Sequence, residues 1–256
     1  MKQKLKLDNF AIFSSAWVSG KRTYAQLDTG ARKSFVKSGS KIDLTFVRET
    51  EVKGALGSAS SRVMILRDLR FLGKRYTDMH VISVKSETRE KYSVRSDLTL
   101  GTDVLYDFDV VCFDLKENVI ESSNRELKSK EKVNIEVKKG LAFFPLQLGN
   151  REVSALFDTG AGYSVLNKKY AEKFVMERGR DVEVTDPAGG KRMVSTFIHR
   201  GLMVANVELN SNEFLILDLS DIEMILGFDL TFVFGVNMML ERKWILKPNQ
   251  KTMMIT

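Results

Sequence analysis

Ser154-Ala155-Leu156-Phe157-Asp158-Thr159-Gly160-Ala161-Gly162-Tyr163-Ser164-Val165-Leu166 decides how this chain is read, because a second stretch repeats its design. That stretch is Tyr24-Ala25-Gln26-Leu27-Asp28-Thr29-Gly30-Ala31-Arg32-Lys33-Ser34-Phe35-Val36. In each, an apolar strand runs into Asp-Thr-Gly-Ala and a second apolar strand leaves two or three residues later. A given Asp-Thr-Gly occurs on the order of once per 5,000 positions at average residue usage, so two copies in matched apolar settings mark a duplication. A lone copy would read as an ordinary turn between strands.

The duplication reaches beyond the triplets. Upstream, Phe10-Ala11-Ile12-Phe13 followed by Gly20 is echoed by Leu141-Ala142-Phe143-Phe144 followed by Gly149. Downstream, Leu98-Thr99-Leu100-Gly101-Thr102-Asp103-Val104-Leu105 is echoed by Met224-Ile225-Leu226-Gly227-Phe228-Asp229-Leu230-Thr231. An offset of roughly 130 residues is far longer than a solenoid or propeller repeat, so the repeated unit is a whole lobe.

The chain has 256 residues, and two lobes of about 120 residues can each bury a workable core. Apolar and charged fractions are ordinary for a globular protein, and no run of 18 apolar residues exists to cross a membrane as a helix. Met1 to Asp8 is basic without the apolar centre of a secretory signal, and Cys112 is the sole cysteine, so no disulfide forms within the chain. Both features lead to the expectation of a cytoplasmic protein. Cys112 itself reads as a small apolar strand residue in Val110-Val111-Cys112-Phe113. The net charge of +7 permits attraction to acidic partners but says nothing of the fold, and nucleic acid is not an expected partner.

Between the motifs, alternating apolar residues predict strands: Lys2 to Leu7, Phe10 to Val36 around a turn at Ser19-Gly20-Lys21, Lys41 to Phe46, Val63 to Phe71, Tyr76 to Val84, Val110 to Phe113 and Asn118 to Ile120. Residues 122–132 are polar and charged, reading as a linker between an N-terminal lobe of 1–121 and a C-terminal lobe of 133–256. In the second half, Tyr170, Ala171, Phe174 and Val175 stand at helical spacing within Asn167 to Gly179, and the glycine reads as the stop. Strands are expected at Met193 to Ile198, Leu202 to Leu209 and Glu213 to Leu219. A short helix and closing strands at Met238 to Glu241 and Trp244 to Leu246 follow, and Met253-Met254-Ile255 offers a last strand.

Asp-Thr-Gly-Ala between apolar strands, followed some seventy residues on by an apolar run ending in Leu-Gly-x-Asp, resembles the retropepsin-type aspartic proteases. Members of that family usually carry one such lobe and act as homodimers; this chain resembles two lobes fused head to tail, a single-chain pseudodimer in the manner of pepsins. The implied fold is all-β: two tandem retropepsin-like, acid-protease β-barrel lobes with an active-site cleft between them and few short helices. The resemblance implies that Asp28 and Asp158 are the catalytic pair, supported by Thr29, Gly30, Ala31, Thr159, Gly160 and Ala161. The threonines should hydrogen-bond across the interface, and the glycines should leave room beside the carboxyls. It places a substrate-covering flap at Gly54 to Ser61, with Gly54 and Gly57, and a second at Asp186 to Lys191, with Gly189 and Gly190. Leu100-Gly101 and Leu226-Gly227 should pass behind the two loops. Thr102 and Phe228 stand where many viral members carry Arg, which removes their salt-bridge network.

The chemistry behind that implication is elementary. Hydrolysing a peptide with water needs a base for the water and an acid for the substrate, both within hydrogen-bond reach of one point. Two carboxyls about 3 Å apart supply both, because they cannot both ionise and so share a proton. No metal or cofactor is required. Other chemistries lack their parts: His80 and His199 lie in separate strand patterns without neighbouring zinc ligands, no Gly-x-Ser-x-Gly is present, and Asp186-Pro187-Ala188-Gly189-Gly190-Lys191 lacks the full phosphate-loop pattern. The expected activity is an aspartic endopeptidase acting on polypeptides as a monomer with internal two-fold pseudosymmetry. The alternatives are a silent module of the same fold that binds or assembles, and a latent protease awaiting a partner or self-cleavage. Arg32 and Lys33 oppose Gly162 and Tyr163, so either the lobe-one side of the cleft favours acidic or polar substrate residues, or the two basic side chains point into solvent.

Overall fold

The structure is a computed structural model that describes residues 1–54, 57–84, 93–123, 131–185 and 191–256. Its first half contains β1 (Lys2–Asp8), β2 (Ala11–Val18), β3 (Lys21–Leu27), β4 (Phe35–Lys37), β5 (Leu44–Gly54), β6 (Gly57–Phe71), β7 (Lys74–Val84), β8 (Leu98–Leu100), α1 (Thr102–Leu105), β9 (Val111–Asp114) and β10 (Val119–Ser122). The second half opens with β11 (Glu131–Asn134), β12 (Glu136–Lys138), β13 (Leu141–Leu148), β14 (Arg151–Phe157) and β15 (Val165–Asn167). It continues through β16 (Glu177–Thr185), β17 (Lys191–Ile198), β18 (Leu202–Val204), β19 (Val207–Glu208), β20 (Glu213–Leu217), α2 (Ser220–Leu226), β21 (Phe232–Phe234), α3 (Val236–Met239), β22 (Lys243–Lys247) and β23 (Thr252–Ile255).

Both halves are built on one plan. β2 and β3 form a hairpin, β3 runs parallel to β8, and β8 runs antiparallel to β4, which lies parallel to β7. In the second half β13 and β14 form the hairpin, β14 is parallel to β21, and β21 is antiparallel to β15, parallel in turn to β20. The registers Phe13↔Gln26 and Phe143↔Leu156 make Phe143 the equivalent of Phe13, and therefore Gly140, not Leu141, the equivalent of Phe10. Strands buried on both faces read as near-continuous apolar runs, broken only by Ser14 and Ser15 in β2 and Gln147 in β13: each buries six or more of its residues, while β1, half exposed, alternates.

The halves are joined by strands in the order β11-β23-β22-β9-β10-β1. The two terminal segments thus pair within one sheet, β1 through Lys2↔Glu121 and β23 through Ile255↔Glu131. Beneath it, Phe113, Phe144, Phe157, Phe234 and Trp244 pack ring against ring, with centroids 5.1–6.4 Å apart, so one aromatic core crosses the seam. Of the segment read as a linker, residues 124–130 lie outside those described; Ser122 closes β10 and Glu131 opens β11. Among the described residues no helix is long and apolar enough to cross a membrane.

Three expected elements differ. The helix over 167–179 is a 3-10 turn, Lys168–Lys173, capped by the Asn167 side chain. Tyr170, Ala171 and Phe174 still reach the core from it, but β16 must begin at Glu177 to pair with Ile198. Gly179 ends nothing: it sits in a β-bulge of β16, where a Cβ would lie 2.5 Å from Thr196 Oγ1. Leu202 to Leu209 is a hairpin, turning at Ala205 and Asn206, both at positive φ, without the glycine that would have announced it. Met238 to Glu241 is no strand, since Met238 and Met239 end α3; every residue of that helix is buried, so no periodicity marks it.

Candidate active site

β3 ends at Leu27 and β14 at Phe157, and the two Asp-Thr-Gly loops that follow meet across the seam. The backbone N–H of Thr29 donates to Thr159 Oγ1 (3.0 Å), and that of Thr159 donates to Thr29 Oγ1 (2.9 Å). Each hydroxyl gives its own proton to the opposite strand end, Thr29 to the Phe157 carbonyl (2.8 Å) and Thr159 to the Leu27 carbonyl (2.9 Å). Both threonines are fully buried, so these backbone groups, which water cannot reach, are paired through the two hydroxyls.

The grip brings the acids together. A Cβ on Gly30 would lie inside the Asp158 carboxyl, and one on Gly160 inside that of Asp28, so each glycine lets the opposite acid approach its backbone. Gly30 N–H donates to Asp28 Oδ1 (3.0 Å); Asp158 Oδ1 receives two, from Gly160 (2.8 Å) and Ala161 (3.2 Å). Ala31 N–H points to the main-chain oxygen of Asp28 (3.4 Å). Loss of hydration, and then the charge of Asp158, hold the Asp28 carboxyl well above the ordinary carboxylate range. Loss of hydration raises Asp158 as well, opposed by the N–H groups of Gly160, Ala161 and Gly30 and by a hydrogen bond from Asp28. The pair therefore holds one proton to a higher pH than a free carboxyl would.

Behind the first loop, Gly101 passes so close that a Cβ would lie 2.6 Å from the Ala31 carbonyl. Its N–H donates to Ser34 Oγ (3.1 Å), whose hydroxyl donates to Asp103 (2.7 Å), which also accepts from Ser34 N–H (3.1 Å). In the second half this place belongs to Gly235, not Gly227. A Cβ on Gly235 would meet the Tyr163 carbonyl carbon at 2.6 Å, and its N–H donates to Ser164 Oγ (2.9 Å). Asn237 Oδ1 accepts from Ser164 N–H and Oγ (2.7 and 2.9 Å), as Asp103 does from Ser34. Gly227 instead ends α2 at φ +70°, and Asp229 is exposed and paired with Lys169 at 2.8 Å. The expectation followed Leu226-Gly227-Phe228-Asp229 because it keeps Leu-Gly-x-Asp. The true repeat, Phe232-Val233-Phe234-Gly235-Val236-Asn237, keeps three apolar residues, the glycine and an Asp-shaped side chain. Ser34 and Ser164 were also missed, although each stands six residues after its Asp.

The flap expectations fall on two long hairpins. β5 and β6 pair out to Gly54↔Gly57, and β16 and β17 out to Thr185↔Lys191. Residues 55–56 and 186–190, the latter including Gly189 and Gly190, lie outside those described.

The family model described as "gag-polyprotein putative aspartyl protease" matches residues 144–230, from within β13 to the approach of β21. Over the whole chain, the structure is similar to the crystal structure of Basic 7S globulin from soybean. That likeness has a TM-score of 0.57 at 7% identity and covers 100% of this chain and 94% of the other. The fold is that of the retropepsin-like aspartic proteases, in two lobes. At so low an identity the globulin speaks to this retropepsin-like fold alone, whereas the family match falls on the lobe that carries Asp158. No curated protein matches the sequence.

Proposed function

We propose that this chain is an aspartic endopeptidase in which Asp28 and Asp158 share one proton and activate a water molecule against a peptide carbonyl. The observation that carries the proposal is the meeting of the two carboxyls across a seam that four threonine hydrogen bonds hold shut. With one proton shared between them, one carboxyl of the pair can take the proton of water while the other protonates the carbonyl oxygen. One chain supplies both acids, so the proposed active unit is a monomer and its substrate a polypeptide threaded between the lobes. The Thr29–Thr159 pairs would position the acids, since misplacement by about 1 Å costs such a centre on the order of 100-fold.

The test is cleavage of a peptide library over a pH series by the parent and by Asp158→Asn. Cleavage by the parent that disappears in the variant, with thermal unfolding no lower than the parent's, is the expected result. A parent that cuts nothing at any pH, while still binding peptides, would instead identify a binding module of the same fold.

A further inference from the structure

The two flanks of the seam beside the acids are equivalent by strand register but filled differently. On one, the turn through Asn9 and Phe10 of lobe one reaches over Gly162 and Tyr163 of lobe two. The Phe10 ring meets that of Tyr163 edge-on, with centroids 5.2 Å apart, and a Cβ on Gly162 would touch Phe10 Cβ at 3.4 Å. The Tyr163 hydroxyl is reached by Arg180 at 3.4 Å. On the other flank the same turn is Lys139-Gly140 and the loop beneath it is Arg32-Lys33. The backbone is alike, since φ is +47° and +59° at Asn9 and Phe10, and +51° and +80° at Lys139 and Gly140. Without the Phe10 and Tyr163 rings to fill it, this flank opens into a cavity of about 370 Å³ lined by Arg32, Lys33, Asp103, Tyr106, Lys139 and Asn249 among others.

The cavity is basic. Among the described residues neither Arg32 nor Lys139 has an ion pair; Lys33 faces Asp103, whose carboxylate is already held by the N–H and hydroxyl of Ser34. The Lys139 ammonium reaches Gly227 at the end of α2. Three basic side chains thus line the cavity with one carboxylate, Asp103, that Ser34 already engages. The cavity also shares a wall with the acids. The Tyr106 phenol, buried against them, is raised by desolvation and then by the charge of Asp158, while Thr102 N–H is bonded to the Ala31 carbonyl at 2.8 Å.

We propose that this cavity takes an acidic side chain of the polypeptide substrate, on the lobe-one flank only; the proposal rests on the peptidase reading for its substrate. Arg32 lies four residues past Asp28, at most about 14 Å of chain, so the acidic residue falls within about four residues of the scissile bond. Exposed cations clustered on one flank favour a carboxylate over its neutral isostere, and salt weakens that preference.

The experiment uses Asp158→Asn, which retains the cleft, and an array of short peptides carrying Glu or Gln at each position in turn, read by fluorescence anisotropy. The parent's cleavage of the same array is read beside it. The expected result is about ten-fold tighter binding of the Glu peptide at one position, reduced by raising salt from about 0.05 to about 0.5 M. The preference should vanish when Arg32→Gln and Lys33→Gln are added, two exposed changes that leave the unfolding temperature in place. Cleavage by the parent without any preference for Glu overturns the cavity proposal and leaves the peptidase reading standing. Selective binding of Glu peptides with no cleavage by the parent upholds the cavity and overturns the peptidase. Equal binding of Glu and Gln peptides overturns the cavity proposal whatever the parent cleaves.

Discussion

Replacing Thr159 by Val tests the grip that brings the two acids together. Valine keeps the shape of threonine and removes the hydroxyl, which here accepts from Thr29 N–H at 3.0 Å and donates to the Leu27 carbonyl at 2.9 Å. Both partners lie in the buried centre of the seam and have no water to turn to. Leaving a buried polar group unpaired costs roughly 1–3 kcal/mol, so two such groups cost about 3 kcal/mol or more. For a chain of this size each kcal/mol moves the unfolding temperature by about 2–4 °C, so calorimetry should show a fall of about 6–12 °C. Thr159→Ser keeps the hydroxyl and deletes only a methyl, at a cost of about 1 kcal/mol. Thr29→Val, which orphans Thr159 N–H and the Phe157 carbonyl, should match Thr159→Val. If the valine and serine variants unfold within about 0.5 kcal/mol of each other, the hydrogen bonds contribute nothing and the reasoning fails.

Gly235→Ala should cripple folding, seen as loss of soluble protein or a drop of more than about 3 kcal/mol in urea unfolding, because its Cβ would strike backbone of the Tyr163 loop. Gly227→Ala meets only the end of the Lys139 side chain and should cost about 1 kcal/mol for its positive φ; equal effects at the two glycines would return Gly227 to the place first read for it. Asp28→Asn should make the folded state more stable at high pH and not at low. The Asp28 carboxyl is raised by burial and by Asp158, so the native state holds a proton that the unfolded chain gives up near pH 4, and parental stability falls as pH rises through the raised value. The variant keeps only the smaller fall due to the desolvated Asp158, and thermal scans from pH 4 to pH 9 should show the two curves parting as pH rises; parallel curves would mean the acids are not desolvated together.

The parts legible in the sequence are those where one residue type answers one physical demand. Asp-Thr-Gly is readable twice because each letter has a task that few residues perform: a carboxyl, a hydroxyl able both to accept and to donate, and a position with no side chain. β2 and β13 were legible because strands covered on both faces are mostly apolar, without the alternation of a half-exposed strand. The mislaid element fails for the converse reason. The site behind the second loop asks for a glycine and an amide or carboxylate two residues on, which Gly235 and Asn237 satisfy, while Leu226-Gly227-Phe228-Asp229 satisfies the letters for unrelated reasons, a helix cap and a surface ion pair with Lys169. A helix of four buried residues, α3, carries no period to detect, and the turn at Ala205-Asn206 uses Asn where glycine would have been conspicuous. The Phe10–Tyr163 contact and the cavity opposite could not be read at all, because they depend on which turn lies over which loop once the strand registers are set.

That last point bears on what a fused chain can do that a symmetric dimer cannot. In a two-fold homodimer every residue beside the axis appears twice, so a change that suits one flank is imposed on the other. Here the flanks have parted. Phe10 sits at φ +59°, where a bulky residue is disfavoured by about 1 kcal/mol, and an edge-on ring contact with Tyr163 offsets it by roughly the same amount. The equivalent turn carries Gly140, free of that strain and leaving the cavity open. The acids keep matching donors, Gly160 and Ala161 at Asp158 and Gly30 and Ala31 at Asp28. In the proposed hydrolysis the two carboxyls have unlike tasks, and a symmetric pair becomes unequal only by where its proton happens to lie. Covalent joining lets unequal flanks be built into the chain, so that in the proposed hydrolysis a substrate held by one flank would lie across the shared proton in a single direction.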